Sequence, residues 1–254
     1  VLRMAAGDLN AWVALIGFAG GVATGSFFLK KGFSLGRAYE AKPVGGAVLP
    51  VVLAALLVIG VATGAYAVST EGPGSKHAPI ILSLVVALII GALAQKSRMC
   101  FAGSIRDIIL MKNFDLISII AALFAVMAVY NVATGSFHLG FSGQPIAHSQ
   151  HLWNILGMYV VGFAAVLAGG CPLRQLILAG QGSSDSAVTF LGMLLGAAFA
   201  HNFGLVGAAA KAATETEPAV AGGPAAAGKI AVIVCIIVLF VIAGTNLRRK
   251  KTAK

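Results

Sequence analysis

An all-α polytopic membrane protein of about seven spanning helices is the fold this chain predicts, and three observations predict it. Of its 254 residues only 10% are charged, where soluble domains carry about 25%. Hydrophobic residues make up 59% and the mean hydropathy is +0.94. Apolar runs of about 20 residues, the length that crosses a bilayer as a helix, recur along the chain. Such a chain cannot cover itself with polar surface, so the lipid bilayer must be its solvent.

The runs fall at roughly 10–29, 46–68, 78–96, 115–134, 152–169, 185–208 and 228–246. Turn signals separate them, among them Glu71-Gly72-Pro73-Gly74 and Gly222-Gly223-Pro224. Residues 211–228, rich in Ala, Thr, Glu and Pro, read as a flexible external loop. No polar stretch is long enough to fold a second core, so one transmembrane domain over 1–254 is expected. Small residues stand four apart at Gly17, Gly21 and Gly25, at Gly60 and Gly64, and at Gly192 and Gly196. On a helix such residues form a ridge that lets a neighbouring backbone approach.

The net charge is +10. In a soluble protein that would suggest nucleic acid, but no basic stripe here is interleaved with exposed aromatics, and no nucleic-acid partner is expected. Basic residues of membrane proteins gather on cytoplasmic loops instead. Lys30, Lys31, Arg37 and Lys42 follow the first run, and Lys96, Arg98, Arg106 and Lys112 follow the third. Arg174 follows the fifth, and Arg248, Arg249, Lys250, Lys251 and Lys254 close the chain. The alternate side has only Arg3, Lys76, Lys211 and Lys229. This bias predicts an N-terminus outside and a C-terminus inside a bacterial or archaeal cytoplasmic membrane. A chain starting outside with no visible signal peptide has two explanations, a further native span before Val1 or a first span that inserts tail-first, and the missing N-terminal part is the favoured expectation.

Residues that could carry chemistry are few. No Asp, Glu or Lys falls in the middle of a run, so the usual intramembrane proton or sodium relay is not evident. His138, His148 and His151 share one external loop and read as solvated histidines rather than metal ligands, and His201 reads as a packing residue. No Walker A, Rossmann glycine pattern or HExxH appears, and no cofactor is expected. Cys100, Cys171 and Cys235 are odd in number and far from zinc spacing, so neither a disulfide framework nor a zinc site is indicated.

A threefold internal pattern is more informative. Gly25 precedes Ser34, Gly91 precedes Cys100, and Gly162 precedes Cys171, each by nine positions, and each at the end of an odd-numbered run. Arg37 and Arg174 lie three residues beyond Ser34 and Cys171; in the middle copy Gly103 takes that place and Arg106 lies three further on. The unit reads as span, break, short helix, span. In LAGGCPLRQLILAG, Gly169-Gly170 ends one helix and Pro172 suits the first position of the next. Cys171 then occupies an N-cap position. Because 154–180 is almost continuously apolar, the break is expected inside the membrane, where non-helical backbone is tolerated only if it lines a cavity. The exposed N–H groups of a half-helix N-terminus attract anions. QKSRMCFAGSIRD fits a similar helix start near Cys100. Arg98, Arg106 and Arg174 have two compatible readings: anchors paired with Asp107, Asp115 and Asp185, or a positive funnel for an anion. Cys235, inside the uniformly apolar VIVCIIVLF, reads as a small buried hydrophobe.

At QKSRMCFAGSIRD, residues 95–107, and GGCPLRQLILAGQGSSDS, residues 169–186, the chain resembles the YeeE/YedE sulfur-transport family. The second motif also looks like the YedE branch linked to selenium metabolism. The resemblance implies re-entrant helix-loop-helix elements meeting at a constriction whose cysteines pass a thiosulfate-like anion inward. By motif match Cys100 and Cys171 inherit that conduit role, with Arg98, Arg106, Arg174, Gly170 and Ser34 as further conduit residues. Ser34 departs from the pattern by standing where a third cysteine would be. Three functions stay open at this point: uptake of a small sulfur or selenium anion without enzyme activity; a membrane sulfurtransferase handing persulfide to a cytoplasmic TusA-type carrier; and a structural subunit of a membrane complex.

Overall fold

A computed structural model describes residues 1–36, 42–65, 78–141, 144, 150–207 and 222–247. Arg37, Lys76, His148, Lys211 and the basic residues from Arg248 onward lie outside the described residues, as do the turn at 71–74 and most of 211–228. The described residues form ten helices: α1 (Leu2–Ala5), α2 (Leu9–Lys30), α3 (Pro43–Ala62), α4 (Ile80–Lys96), α5 (Phe101–Met111), α6 (Asp115–Ala133), α7 (His151–Leu167), α8 (Pro172–Gly180), α9 (Ser184–Asn202) and α10 (Ala226–Thr245). The all-α membrane architecture is as expected.

Six segments are long and apolar enough to cross a bilayer. Leu9–Lys30, Val44–Ala62, Asp115–Ala133 and Ala226–Thr245 do so as single helices, and Ile80–Met111 and His151–Gly180 as a helix, a break and a shorter helix. The sixth expected run forms as α9 but is not among the six. It opens on Ser184-Asp185-Ser186 and closes on His201-Asn202, and these polar ends dilute its apolar middle. The short helices differ in kind from the long ones. Helices α5 and α8 are amphipathic, whereas α2, α4 and α6 are apolar around their whole circumference.

The chain divides into two compact units, Val1–Gly36, Cys100–Cys171 and Met193–Lys254 in the first, and Arg37–Met99 and Pro172–Gly192 in the second. In the first unit α2 packs on α7, and α5 packs on both. The α2–α7 contact is a backbone contact. A Cβ on Gly17 would run into the carbonyl of Ile155, one on Gly21 into that of Tyr159, and one on Gly162 into that of Phe18. Gly25 meets the side chain of Val166. The small-residue ridge on α2 is therefore a true contact surface. Gly64, Gly192 and Gly196 are different, because a Cβ there would meet nothing. Beyond the glycines, Phe163 is fully buried between Phe28, at 5.8 Å between ring centroids, and Phe240 of α10, at 5.1 Å. Asp8 caps α2 and pairs with Arg3 at 2.8 Å, which closes the other end of the helix. In the second unit α8 packs on α3 and α4.

Most of these helices stop in the same way. The N–H two residues past the C-cap bonds back to the carbonyl five residues earlier, and the N–H before it to the carbonyl three residues earlier. This Schellman ending needs a left-handed residue, a conformation that glycine adopts without penalty. Gly7, Gly32, Gly64, Gly135, Gly169, Gly182 and Gly204 fill that place in α1, α2, α3, α6, α7, α8 and α9. In α4 the place is held by Arg98, at φ 54°.

The glycine contact yields a direct test. Gly21→Val should lower the stability of the purified protein in thermal unfolding by about 1–3 kcal/mol, the cost of overpacking. Gly192→Ala, with open space around it, should unfold at or slightly above the parent temperature.

Candidate functional site

The repeat seen in the sequence has a structural counterpart. Helices α2, α4 and α7 end with Schellman bonds from Phe33 to Phe28, Met99 to Ala94 and Gly170 to Ala165, at 3.0, 3.2 and 2.9 Å. The next residue in each case is Ser34, Cys100 or Cys171. The three positions are thus equivalent in backbone geometry as well as in spacing. They diverge immediately afterwards. In the second and third copies a short helix starts at once, α5 at Phe101 and α8 at Pro172. In the first copy Ser34–Gly36 are non-helical, and the next helix among the described residues, α3, begins at Pro43.

Cys100 is the N-cap of α5. Its backbone is extended, and its Sγ accepts the N–H of Gly103 at 3.3 Å, the place an Asp or Ser oxygen usually fills. Gly103 is the residue that stands where the other copies have arginine, and the reason is local. A Cβ at 103 would lie 3.1 Å from Cβ and 3.2 Å from Sγ of Cys100. A side chain there would crowd the sulfur.

The same sulfur accepts a second backbone donor, the N–H of Cys171, at 3.4 Å. Two of the sequence-predicted residues, 71 positions apart, are therefore brought together. Both are buried, Cys100 at 6% and Cys171 at 2% exposure, and neither is in a disulfide. Cys171 directly precedes α8, whose first residue Pro172 has no N–H to satisfy. Gly170 is buried and supplies the last Schellman donor.

The other predicted residues have separate surroundings. Ser34 donates its N–H to the carbonyl of Asn246 at 3.2 Å, and its hydroxyl accepts the N–H of Gly36 at 3.3 Å. Arg106 pairs with Asp107 at 2.9 Å, as one of the two readings had it. Asp115 bonds Asn113 through its carboxylate, at 3.1 Å. Arg174 Nη1 donates to Gln95 Oε1 at 3.4 Å, an amide on α4, where the anchor reading had paired it with Asp185. Gln95 was not picked out by sequence reasoning; its place in QKSRMC, one turn before the break, was the available signal. Arg98 is exposed. Cys235 lies on an exposed face of α10, contrary to its reading as a buried residue. His201 is likewise exposed rather than packed, because it falls in the last turn of α9. His138 is exposed, and His151 sits against the ring of Phe141 at the start of α7.

Fold and site together define a polytopic helical membrane protein with a buried cysteine pair at two repeat-related helix breaks. The family model described as sulphur transport matches residues 96–254, and the chain belongs to that family, the YeeE/YedE family that its two motifs resemble. It is 30% identical over 115 residues to the thiosulfate transporter TsuA of Spirochaeta thermophila, a match covering 43% of this chain and 33% of that protein. It is also 30% identical over 106 residues to the thiosulfate transporter TsuA of Escherichia coli, covering 41% of this chain and 29% of that protein. The matched stretches thus span about a third of these curated relatives. No solved structure matches the chain.

The two endings at Arg98 and Gly169 predict opposite responses. A non-glycine residue in the left-handed region costs about 1–2 kcal/mol. Gly169→Ala, where a Cβ meets nothing but φ is 83°, should lower stability by about that amount. Arg98→Gly should leave thermal stability unchanged or raise it, since relief of strain offsets the added freedom of the unfolded chain.

Proposed function

We propose that this chain carries a small sulfur-containing anion of the thiosulfate class across a membrane, through a constriction built on Cys100 and Cys171. The observation that carries the reading is the convergence of these two buried thiols at equivalent helix breaks. The sulphur-transport family and the names of the two relatives support the substrate class. The chemistry fits. A thiol offers a weak S–H donor and a polarisable sulfur. A soft anion exchanges its hydration for several such weak contacts and is still able to leave. In this reading the amphipathic α5 and α8 are re-entrant half-helices whose N-termini favour negative charge. The same reading takes the C-terminus as cytoplasmic, from the basic bias. Selenite is a candidate second substrate, by the likeness of the second motif to the selenium-linked branch.

Arg174 lies three residues of chain from Cys171, a span of at most ~11 Å. A guanidinium at that distance acts within about a Debye length. Arg98 precedes Cys100 by two residues and plays the same part in the second copy.

The reading is tested by uptake into proteoliposomes with thiosulfate, sulfate, sulfite and selenite. Thiosulfate should be taken up and sulfate excluded. Cys100→Ala and Cys171→Ala should each abolish most uptake while leaving the protein folded, and Cys235→Ala should be nearly silent. Parent-rate transport by both alanine variants would sink the conduit. Cys100→Ser should keep partial activity if the sulfur acts as a hydrogen-bonding group. Complete loss in the serine variant, with a persulfide mass on a cysteine of the parent, would instead favour sulfur transfer to a TusA-type carrier.

Charge is tested separately. Arg174→Gln should slow uptake about tenfold or more, a change of about 1.4 kcal/mol. Lys211→Gln, in the Ala/Thr/Glu/Pro-rich segment, should change it little at matched expression. Equal effects would return Arg174 to the role of an anchor.

A further inference from the structure

We propose that Cys100 and Cys171 form an oxidisable dithiol, a modification site that closes to a disulfide and shuts the constriction. The sulfur of Cys100 already accepts the Cys171 N–H at 3.4 Å, which sets the two buried cysteines side by side. A disulfide draws the sulfurs to about 2.05 Å. An apolar cavity of about 210 Å³ borders the first turn of α5, lined in part by Phe101 and Ser104. A fully packed interior would resist such a shift. Cys235, exposed on α10, has no such neighbour in a disulfide-ready position and serves as an internal control.

Burial selects the oxidant. At 6% and 2% exposure the pair is closed to bulky disulfides, and hydrogen peroxide, an oxidant little larger than water, is the reagent that suits it. One thiol is oxidised by peroxide to a sulfenic acid as the O–O bond breaks and water leaves. The sulfur of the other thiol then attacks the sulfenic sulfur. The S–S bond forms, the S–O bond breaks, and the hydroxide leaves with the attacking thiol's proton as a second water. In sum, two thiols lose two hydrogens and one peroxide becomes two waters. Dithiothreitol reverses the bond by thiol–disulfide exchange.

The closure of transport rests on the function proposed above; the dithiol chemistry does not. The protein in proteoliposomes is therefore treated with hydrogen peroxide and then with dithiothreitol. Intact mass, peptide mapping, titration of denatured thiols and thiosulfate uptake are followed together. The expected result is a loss of two hydrogens and of two of the three titratable thiols, with one Cys100–Cys171 linked peptide. Uptake should fall about tenfold or more and recover on reduction. Cys235→Ala should cross-link as the parent does, and Cys171→Ser should give an oxygen adduct on Cys100 without a cross-link. An unlinked protein carrying added oxygen, or no mass change at all, overturns the dithiol. A cross-linked protein that takes up thiosulfate as fast as the dithiol form overturns the closure. A cross-link in a protein that takes up no thiosulfate even when reduced leaves the dithiol standing and refutes the transport reading.

Discussion

Helix α2 holds α7 at backbone distance because one of its faces has no side chains. In lipid there is no hydrophobic drive for two apolar helices to pair, so association rests on close packing. Gly17 and Gly21 let the carbonyls of Ile155 and Tyr159 come to within van der Waals reach of the α2 backbone, and Gly162 returns the contact from the α7 side. The rest of the first unit is set from there. Helix α7 carries Cys171 just beyond its end, and α5, capped by Cys100, packs on both α2 and α7. A bulkier residue on that face would move one cysteine relative to the other.

The parts of this architecture that were legible in the sequence are those where backbone geometry restricts residue choice. The Schellman endings demand glycine, and Gly32 and Gly169 stand where the repeat predicted breaks. The nine-residue interval to Ser34, Cys100 and Cys171 is legible for the same reason. Its packing meaning is not uniform. Gly25 and Gly162 are contact glycines, whereas a Cβ on Gly91 would meet nothing. Spacing alone does not separate the two cases. Gly192 and Gly196 misled in the same way, since a small residue facing lipid looks like one facing a helix. Cys235 is exposed because a lipid-facing position tolerates any apolar residue, and its sequence surroundings match those of a buried one. The amide partner of Arg174 was illegible because Gln95 and Arg174 are 79 residues apart and meet only through the packing of α8 on α4.

Arg98 is the position where local preference and the observed residue conflict. Seven other helices of this chain end the same way with glycine. Here a basic side chain stands two residues before a buried cysteine in a conformation that runs against the backbone's own preference. Strain of this kind persists where the surrounding structure over-determines the residue, and it concentrates at functional sites. Lys112, also left-handed at φ 53°, closes α5 at its other end. The short helix α5 is bracketed by two such residues, both basic.

The contact between α2 and α7 also bears on mechanics. The partners meet at nearly repeat-equivalent positions: Cys171 follows Ser34 by 137 residues, and Ile155 follows Gly17 by 138. Two rods seated carbonyl against glycine along several turns neither slide nor roll without lifting apart. Rocking of one repeat against another, a common route to alternating access, is blocked between these two copies. They form a stator. Any motion that parts α2 from α7 must first break this seam of glycines and carbonyls.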